Sequence, residues 1–529
     1  QAPKRSEALF RAHLSPLAKM TPDDVLVEKE VARQYSGRAK CVFRPPSEGG
    51  RILVTTETVL RGEIVGRSEQ QMMVGKVSSA PEQRALWETL CEIFGKSEED
   101  YSLHVVWSAL SSLTEADLPS EGFPLPSISE DLQRRICLHY VRDIEPSPQM
   151  IKLHEAIGLR CTALKLERMV ELWNCNSLDH SHRKQTSVLS LAFALMNHSC
   201  MPSVTWNFEG DEVVLRANRD IEEGSELTVS YIEDEKMHMP TQRRQQYILE
   251  TGKGFTCGCQ RCSGPEYSCQ VICPSPDCKG TVDISIDEWH PSIACGICHR
   301  SLTKDEFELR TAEEEELEET LDLLADGEKD PTVIPEEESD SESDSTSDGE
   351  SDKVRIPTAN VQVDRITPKQ LGKIREIAAS GRSLAPTGHW LAHRAYGLLK
   401  DVAWARKAGP VEVLTCLDQR AAFIRQAYPT ADKSHPPLPE LGWELLEAAE
   451  LLLKGEGWPL DWSEDMRTSA AEVRLKECIE VLEPMSGSFE SSVVKARKYL
   501  TALKAGATNR GQKRARDDGL IHASAHVGA

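Results

Sequence analysis

Eight of the sixteen cysteines fall between residues 257 and 298. Thiols at that density are either oxidised in pairs or bound to metal, and in both cases sulfur geometry dictates the local fold. A disulfide scaffold is usually a short secreted chain. This chain has 529 residues, and no apolar signal core follows Gln1-Ala2-Pro3-Lys4-Arg5. It begins without an initiator Met, as a fragment would, and a removed targeting segment would leave no trace. The cysteines therefore read as metal ligands in a reducing compartment, cytoplasm or nucleus.

Cys257-x-Cys259-x-x-Cys262 offers three thiolates, and tetrahedral zinc takes four ligands. Cys200, in a polar turn, is the candidate for the fourth; the plainer reading leaves it a free buried cysteine. Cys273-x4-Cys278 and Cys295-x2-Cys298 have the spacing of a second zinc set, a zinc ribbon, with Cys269, His290 and His299 to spare. The alternative is a small hairpin with reduced thiols.

A hydrophobic fraction of 39% supports real cores, and aromatics at 5% leave part of the chain outside them. The net charge of −23 repels nucleic acid and suits a basic, lysine-bearing protein partner. No apolar run approaches the roughly 18 residues of a membrane span. Length predicts two to four domains.

Residues 1–40 read as a polar, partly helical lead-in. Residues 41–66 are rich in Val, Ile and Thr and read as strands, with turns at Gly49-Gly50 and Arg61-Gly62-Glu63. An insert over about 67–172 reads as helical from its three- and four-residue apolar spacing. Short strands return over 186–232, and 241–250 reads as a helix. Residues 257–300 form the cysteine segment. The acidic stretch 301–365 starts as a helix and continues as a disordered linker. There Ser339, Ser341, Ser345 and Ser347 each precede an acidic residue by three positions, a pattern that suits an acidophilic kinase or merely a solvated spacer. Residues 366–504 read as an all-α domain, tetratricopeptide-like in its helix pairs. Residues 505–529, with a short basic run at 513–516, read as a disordered tail.

Asn197-His198-Ser199-Cys200-Met201-Pro202-Ser203, then Glu226-Leu227-Thr228-Val229-Ser230-Tyr231, then the C-x-C-x-x-C, together resemble the SET domain with its post-SET zinc loop. The wording RANRDIEEGSELTVSYI is similar to the SET-and-MYND (SMYD) group. The resemblance covers residues 41–66 and 174–262; beyond them only the helical character of 366–503 agrees. It implies a mixed fold: a β-rich SET domain over 41–256 with a helical insert, a zinc-binding post-SET segment and an all-α C-terminal domain. It implies an S-adenosylmethionine (SAM)-dependent protein-lysine N-methyltransferase acting on a histone or another protein, without nucleic acid or membrane, as a monomer. Carried over by motif, Tyr231 is the catalytic tyrosine. Gly50, Arg51, Asn176, Asn197, His198, Tyr231 and Phe255 face the cofactor. Cys200, Cys257, Cys259 and Cys262 hold a structural zinc.

The chemistry suits those groups. A lysine must lose a proton before it is a nucleophile, and a dry, narrow channel both favours the neutral amine and aligns it. The plainer readings are a strand tyrosine satisfying a carbonyl at 231, a turn asparagine at 176 and a core phenylalanine at 255. Two departures stand out. The first motif reads Gly50-Arg51-Ile52 where the family has a second glycine, and a β-branched residue resists φ > 0. The paired cysteines of a MYND finger are not found: Cys41, Cys91 and Cys137 do not supply them. The altered motif leaves a second reading, an inactive SET-fold scaffold that acts through its helical C-terminal domain.

Overall fold

The computed structural model describes residues 22–44, 50–97, 100–120, 122–180, 183–264, 266–284, 289–325, 366–379, 384–428, 438–454, 456–487 and 490–505. The serine pattern at 339–347 and the basic run at 513–516 lie outside them. Two compact units divide the chain: residues 1–231 with 484–486, and residues 232–483 with 487–529. No helix among the described residues is long and apolar enough to cross a membrane.

The first unit is the β-rich one. Helix α1 (Pro22–Gln34) leads into β1 (Ala39–Phe43) and β2 (Arg51–Thr55), an antiparallel pair with Val42 opposite Ile52. β3 (Ile64–Ser68) and β4 (Met72–Val74) follow. Five helices then form the insert: α2 (Pro81–Phe94), α3 (Tyr101–Leu110), α4 (Glu130–Ile136), α5 (Pro148–Ile157) and α6 (Ala163–Asn176). Their boundaries are written locally. Asp100, Ser129, Ser147 and Thr162 accept backbone N–H bonds at the N-termini of α3 to α6. Gly95 and Gly158 stop α2 and α5 in the left-handed conformation. Leu90, Leu103, Trp87 and Trp173 fill a core of the insert's own; each such side chain contributes about 1.5–3 kcal/mol of burial.

Strands resume with β5 (Ser177–Asp179) and β6 (Ser187–Leu189), which form a sheet in the order β4-β6-β5. After α7 (Leu191–Ala194) come β7 (Asn197–His198), β8 (Val204–Glu209), β9 (Glu212–Ala217) and β10 (Thr228–Val229). β8 and β9 are a hairpin closed at Gly210, whose φ of +64° favours glycine. With β3 they make the sheet β3-β9-β8. Val31, Tyr35, Leu53, Val65, Met196, Leu215 and Val229 belong to the core beneath.

The second unit opens with α8 (Thr241–Glu250) and α9 (Gln260–Ser263). β11 (Cys269–Ile272) and β12 (Thr281–Asp283) pair antiparallel, and α10 (Lys304–Ala325) follows. Helices α11 (Pro368–Ala378), α12 (Trp390–Ala405), α13 (Pro410–Ala427), α14 (Pro439–Lys454) and α15 (Glu464–Ser486), the last without its final three residues, make up most of the remainder, and residues 491–505 are also helical. Leu399, Leu417, Phe423, Leu445 and Leu452 are among their buried side chains. The stretch read from sequence as helical contains, among the described residues, a strand, β13 (Leu384–His389), which joins β11 on the side opposite β12. Its sequence, LAPTGH, carries a Pro and a Gly and no alternating pattern; the partner strand, not propensity, makes it extended.

Candidate functional site

Asn197 and His198 are the whole of β7, and they pair in parallel with Thr228 and Val229 of β10. The ladder continues through the Ser199 N–H, which donates to the Val229 carbonyl at 2.9 Å. So short a parallel pair needs locks, and the motif supplies them. The Ser203 N–H donates to Thr228 Oγ1 at 3.1 Å, and the Thr228 N–H to Ser203 Oγ at 2.9 Å. Asn197 Nδ2 donates to Glu226 Oε1 at 2.9 Å. β2 braces the same segment, since the Leu227 N–H donates to the Leu53 carbonyl and Val54 bridges Glu226.

Tyr231 lies two residues beyond the end of β10. Its N–H donates to His198 Nδ1 at 2.9 Å, which leaves the imidazole proton on Nε2. That nitrogen lies 3.3 Å from Cys200 Sγ and donates to it. The Tyr231 hydroxyl donates to the Met196 carbonyl at 2.6 Å, the contact a packing tyrosine also makes. Burial, then Cys175 and Glu226, push the phenol well above its usual range, so Tyr231 stays a neutral donor with a lone pair to offer.

The other expected cofactor residues are spread along the first unit. Gly50 has φ +64°. Arg51 begins β2, and no carboxylate among the described residues pairs with it. Ile52 is buried in β2 with ordinary extended backbone, so the altered first motif introduces no strain there. Asn176 ends α6, buried, its amide donating to the carbonyls of Tyr140 and Leu172 at 2.8 and 2.7 Å. Cys200 is buried.

Phe255 lies half-buried in the second unit, just ahead of three thiols. Those of Cys257, Cys259 and Cys262 lie within 4.8 Å of one another. α8 holds this loop: Gln245 accepts from the Cys257 N–H at 2.7 Å and donates to its carbonyl. Arg244, fully buried, reaches Cys262 Sγ at 3.7 Å and pairs with Glu266 at 3.0 Å. Against burial, Arg261 and Arg244 hold Glu266 down at about 2. Sequence reading missed Arg244, Gln245 and Glu266. TQRRQQYILE shows a helix, but nothing in it separates the buried arginine from its exposed neighbours.

The ligand atoms of Cys273, Cys278, Cys295 and Cys298 lie within 4.8 Å of one another. Cys273–Cys298 and Cys278–Cys295 are each 3.6 Å apart, against about 3.8 Å between sulfurs of a tetrahedral zinc–thiolate site. The N–H groups of Ser275, Gly280 and Ile297 point at the sulfurs of Cys273, Cys278 and Cys295. The Arg300 N–H draws the Cys298 thiol down to about 6. A Cβ on Gly280 would stand 2.4 Å from Cys295 Sγ, so only glycine fits beside the thiols. The spare residues His290 and His299 are not in the quartet.

Residues 50–232 match the family model described as SET domain. Histone-lysine N-methyltransferase set5 of Schizosaccharomyces pombe is 45% identical over 79 residues, 15% of this chain and 24% of that protein. Histone-lysine N-methyltransferase SMYD3 of Mus musculus is 29% identical over 180 residues, 34% of this chain and 37% of that protein. SMYD3 of Homo sapiens is 36% identical over 101 residues, 18% and 23%. The chain thus spans well under half the length of the curated relatives it matches. A structure titled as the SET domain of LSMT bound to lysine and AdoHcy aligns over 92% of this chain and 93% of its own at 10% identity and TM-score 0.29; at that score the likeness carries nothing. The motifs at 197–203 and 226–231 lie inside the matched residues and the cysteine motif at 257–262 lies beyond them; over residues 50–232 this chain matches the SET domain.

Proposed function

We propose that the protein is a SAM-dependent protein-lysine N-methyltransferase. The observation that carries this reading is the pairing of Asn197-His198 with β10, two residues before Tyr231, whose N–H donates to His198, inside the residues that match the SET domain. The relatives' names, lysine methyltransferases all, support it.

Gly50, Arg51, Asn176, Asn197 and His198, with Phe255, are the residues proposed to hold the cofactor. The donor set fits: Arg51 supplies a guanidinium that no carboxylate among the described residues pairs with, for an amino-acid carboxylate, and Gly50 lets backbone approach a ligand closely. When bound, SAM supplies an electrophilic methyl on sulfur. Tyr231 keeps its own proton on the Met196 carbonyl, so its phenol oxygen is an acceptor for the N–H of an incoming lysine. The Met196 carbonyl holds that oxygen directly, and His198 holds the residue's backbone N–H. This is positioning, and alignment of that kind can lower a barrier by several kcal/mol. The lysine proton leaves before transfer, which a dry channel favours.

The zinc sites are proposals of structural kind. Cys273, Cys278, Cys295 and Cys298 fit a zinc ion by their spacing and by the N–H groups aimed at the sulfurs. For Cys257, Cys259 and Cys262 the sequence spacing supports Cys200 as the fourth ligand, and the His198 N–H on Cys200 suits a thiolate. The substrate is proposed to be a basic protein segment, histone or not, in cytoplasm or nucleus, and the enzyme a monomer.

Calorimetric titration of zinc-loaded protein with SAM, followed by transfer of labelled methyl from SAM to histone and cell-extract proteins, tests the reading. Micromolar binding and lysine-linked label are expected. A folded, zinc-replete protein that binds no SAM would refute it.

A further inference from the structure

Outside the SET residues, the second unit encloses a trio of metal-type side chains that no motif announces. Cys269 opens β11 and stands directly opposite His389, the last residue of β13. The two backbones approach closely because residue 388 is glycine: a Cβ there would lie 2.8 Å from Gln426 Nε2 and 3.1 Å from Gln270. Glu314, on α10, reaches both. Its Oε1 lies 3.3 Å from Cys269 Sγ and 3.6 Å from His389 Nε2, its Oε2 lies 3.5 Å from the sulfur, and Sγ to Nε2 is 4.0 Å.

We propose that Cys269, Glu314 and His389 bind a zinc ion. Zinc bonds to sulfur, imidazole and carboxylate at their usual lengths place tetrahedral ligand atoms about 3.4–3.6 Å apart; the distances from the Glu314 oxygens, 3.3–3.6 Å, match, and the sulfur–imidazole distance, 4.0 Å, is wider and closes by a small side-chain movement. The imidazole is already oriented for it. His389 caps α12, its Nδ1 accepting the Leu391 N–H at 3.3 Å, so the nitrogen facing Cys269 and Glu314 is Nε2. Trp390 Nε1 donates to Glu314 Oε1 at 2.9 Å and orients the carboxylate, the supporting bond that metal-ligating carboxylates commonly have.

Charge points the same way. Cys269 and His389 are 1% and 0% exposed. Among the described residues Glu314 pairs with no lysine or arginine, its one ion-pair partner being His389. The Glu314 side chain is 14% exposed, and a carboxylate so largely withdrawn from water favours a compensating cation. One thiolate, one carboxylate and a neutral imidazole balance Zn2+. The other buried histidine–carboxylate group in this unit lacks that need: Glu440 touches His238 and His393 but is already paired with Arg420. The fourth position on the ion falls to the second Glu314 oxygen or to water.

The site would join three elements, β11, α10 and the start of α12, and is independent of methyl transfer. The test is a zinc count by mass spectrometry on the full chain, dialysed against metal-free buffer. Cys269→Ala and Glu314→Gln are each expected to hold one zinc fewer than the unaltered protein, with unchanged circular dichroism. A folded Cys269→Ala chain with an undiminished count overturns the proposal and leaves a hydrogen-bonded trio. Since either buried change can prevent folding, zinc-edge X-ray absorption on the unaltered protein gives a second reading. The cysteine quartets contribute sulfur alone. Nitrogen and oxygen scatterers at about 2.0–2.2 Å, with imidazole outer-shell scattering, are expected; a pure sulfur shell overturns the site.

Discussion

Tyr231 makes two bonds that pull on different atoms. Its backbone N–H holds His198, and its hydroxyl holds the Met196 carbonyl. Tyr231→Phe removes only the second. The expected result is a fall in methyl transfer of about 100-fold, the scale of a misplaced reacting group, with stability changed by no more than about 1 kcal/mol. A steady-state assay beside a urea titration measures both, and an active variant removes the role given to the tyrosine. Cys200→Ser tests the neighbouring proposal. Zinc binding free energy is also folding free energy, so the variant is expected to lose one zinc per chain and to melt earlier; full zinc content would contradict it. At this scale the sequence was readable where chemistry demanded particular atoms in a particular order, as in NHSC and ELTVSY. It was silent where the demand was burial. Glu226 sat in plain view within its motif, yet its bond to Asn197 depends on a register that spacing alone does not specify. Asn176 was assigned to the cofactor by its motif, and in the structure its amide hydrogens both go to backbone carbonyls.

Elements show the same division. The insert helices were legible because their apolar spacing, N-caps and terminal glycines all agree. β13 was not, because a strand made by its partner leaves no pattern of its own. The second cysteine quartet lies between: its spacing proposed the four ligands, but only the structure shows how close Gly280 stands to Cys295. Gly280→Ala should therefore cost about 1–3 kcal/mol as an overpacked site and lower zinc content by up to one per chain, read by thermal melting and metal analysis. Unchanged melting would mean that the thiols have room to yield. Ile52 is the opposite case. Its β-branch looked awkward in the first motif, and it is simply a strand residue facing Val42.

Across the whole molecule, acid is the condition that should act first. Glu266 is held at about 2 when folded, chiefly by Arg261 and Arg244 against the cost of burial, and titrates near 4.5 when unfolded. The unfolded chain thus binds the extra proton between those values. Stability present above about pH 4.5 is lost as pH falls toward 2, by about 3 kcal/mol from this group. Glu266→Gln should be less stable at pH 7 by about 3–5 kcal/mol, since Arg244 is left buried without its carboxylate, and should lose less on acidification. Urea titrations at pH 7 and pH 4 on both proteins measure this; parallel acid losses would assign the sensitivity elsewhere.

Strand β13 meets β11 across 120 residues of chain, measured from Cys269 to His389. During synthesis the ribbon sheet therefore waits, two strands wide, until residues far downstream have emerged, and contacts of such separation form slowly. The same long reach makes the second unit tolerant of a broken backbone. A single cut between Ala325 and Ile366 would yield two polypeptides that still share a sheet, and they should travel together on a sizing column until denaturant separates them.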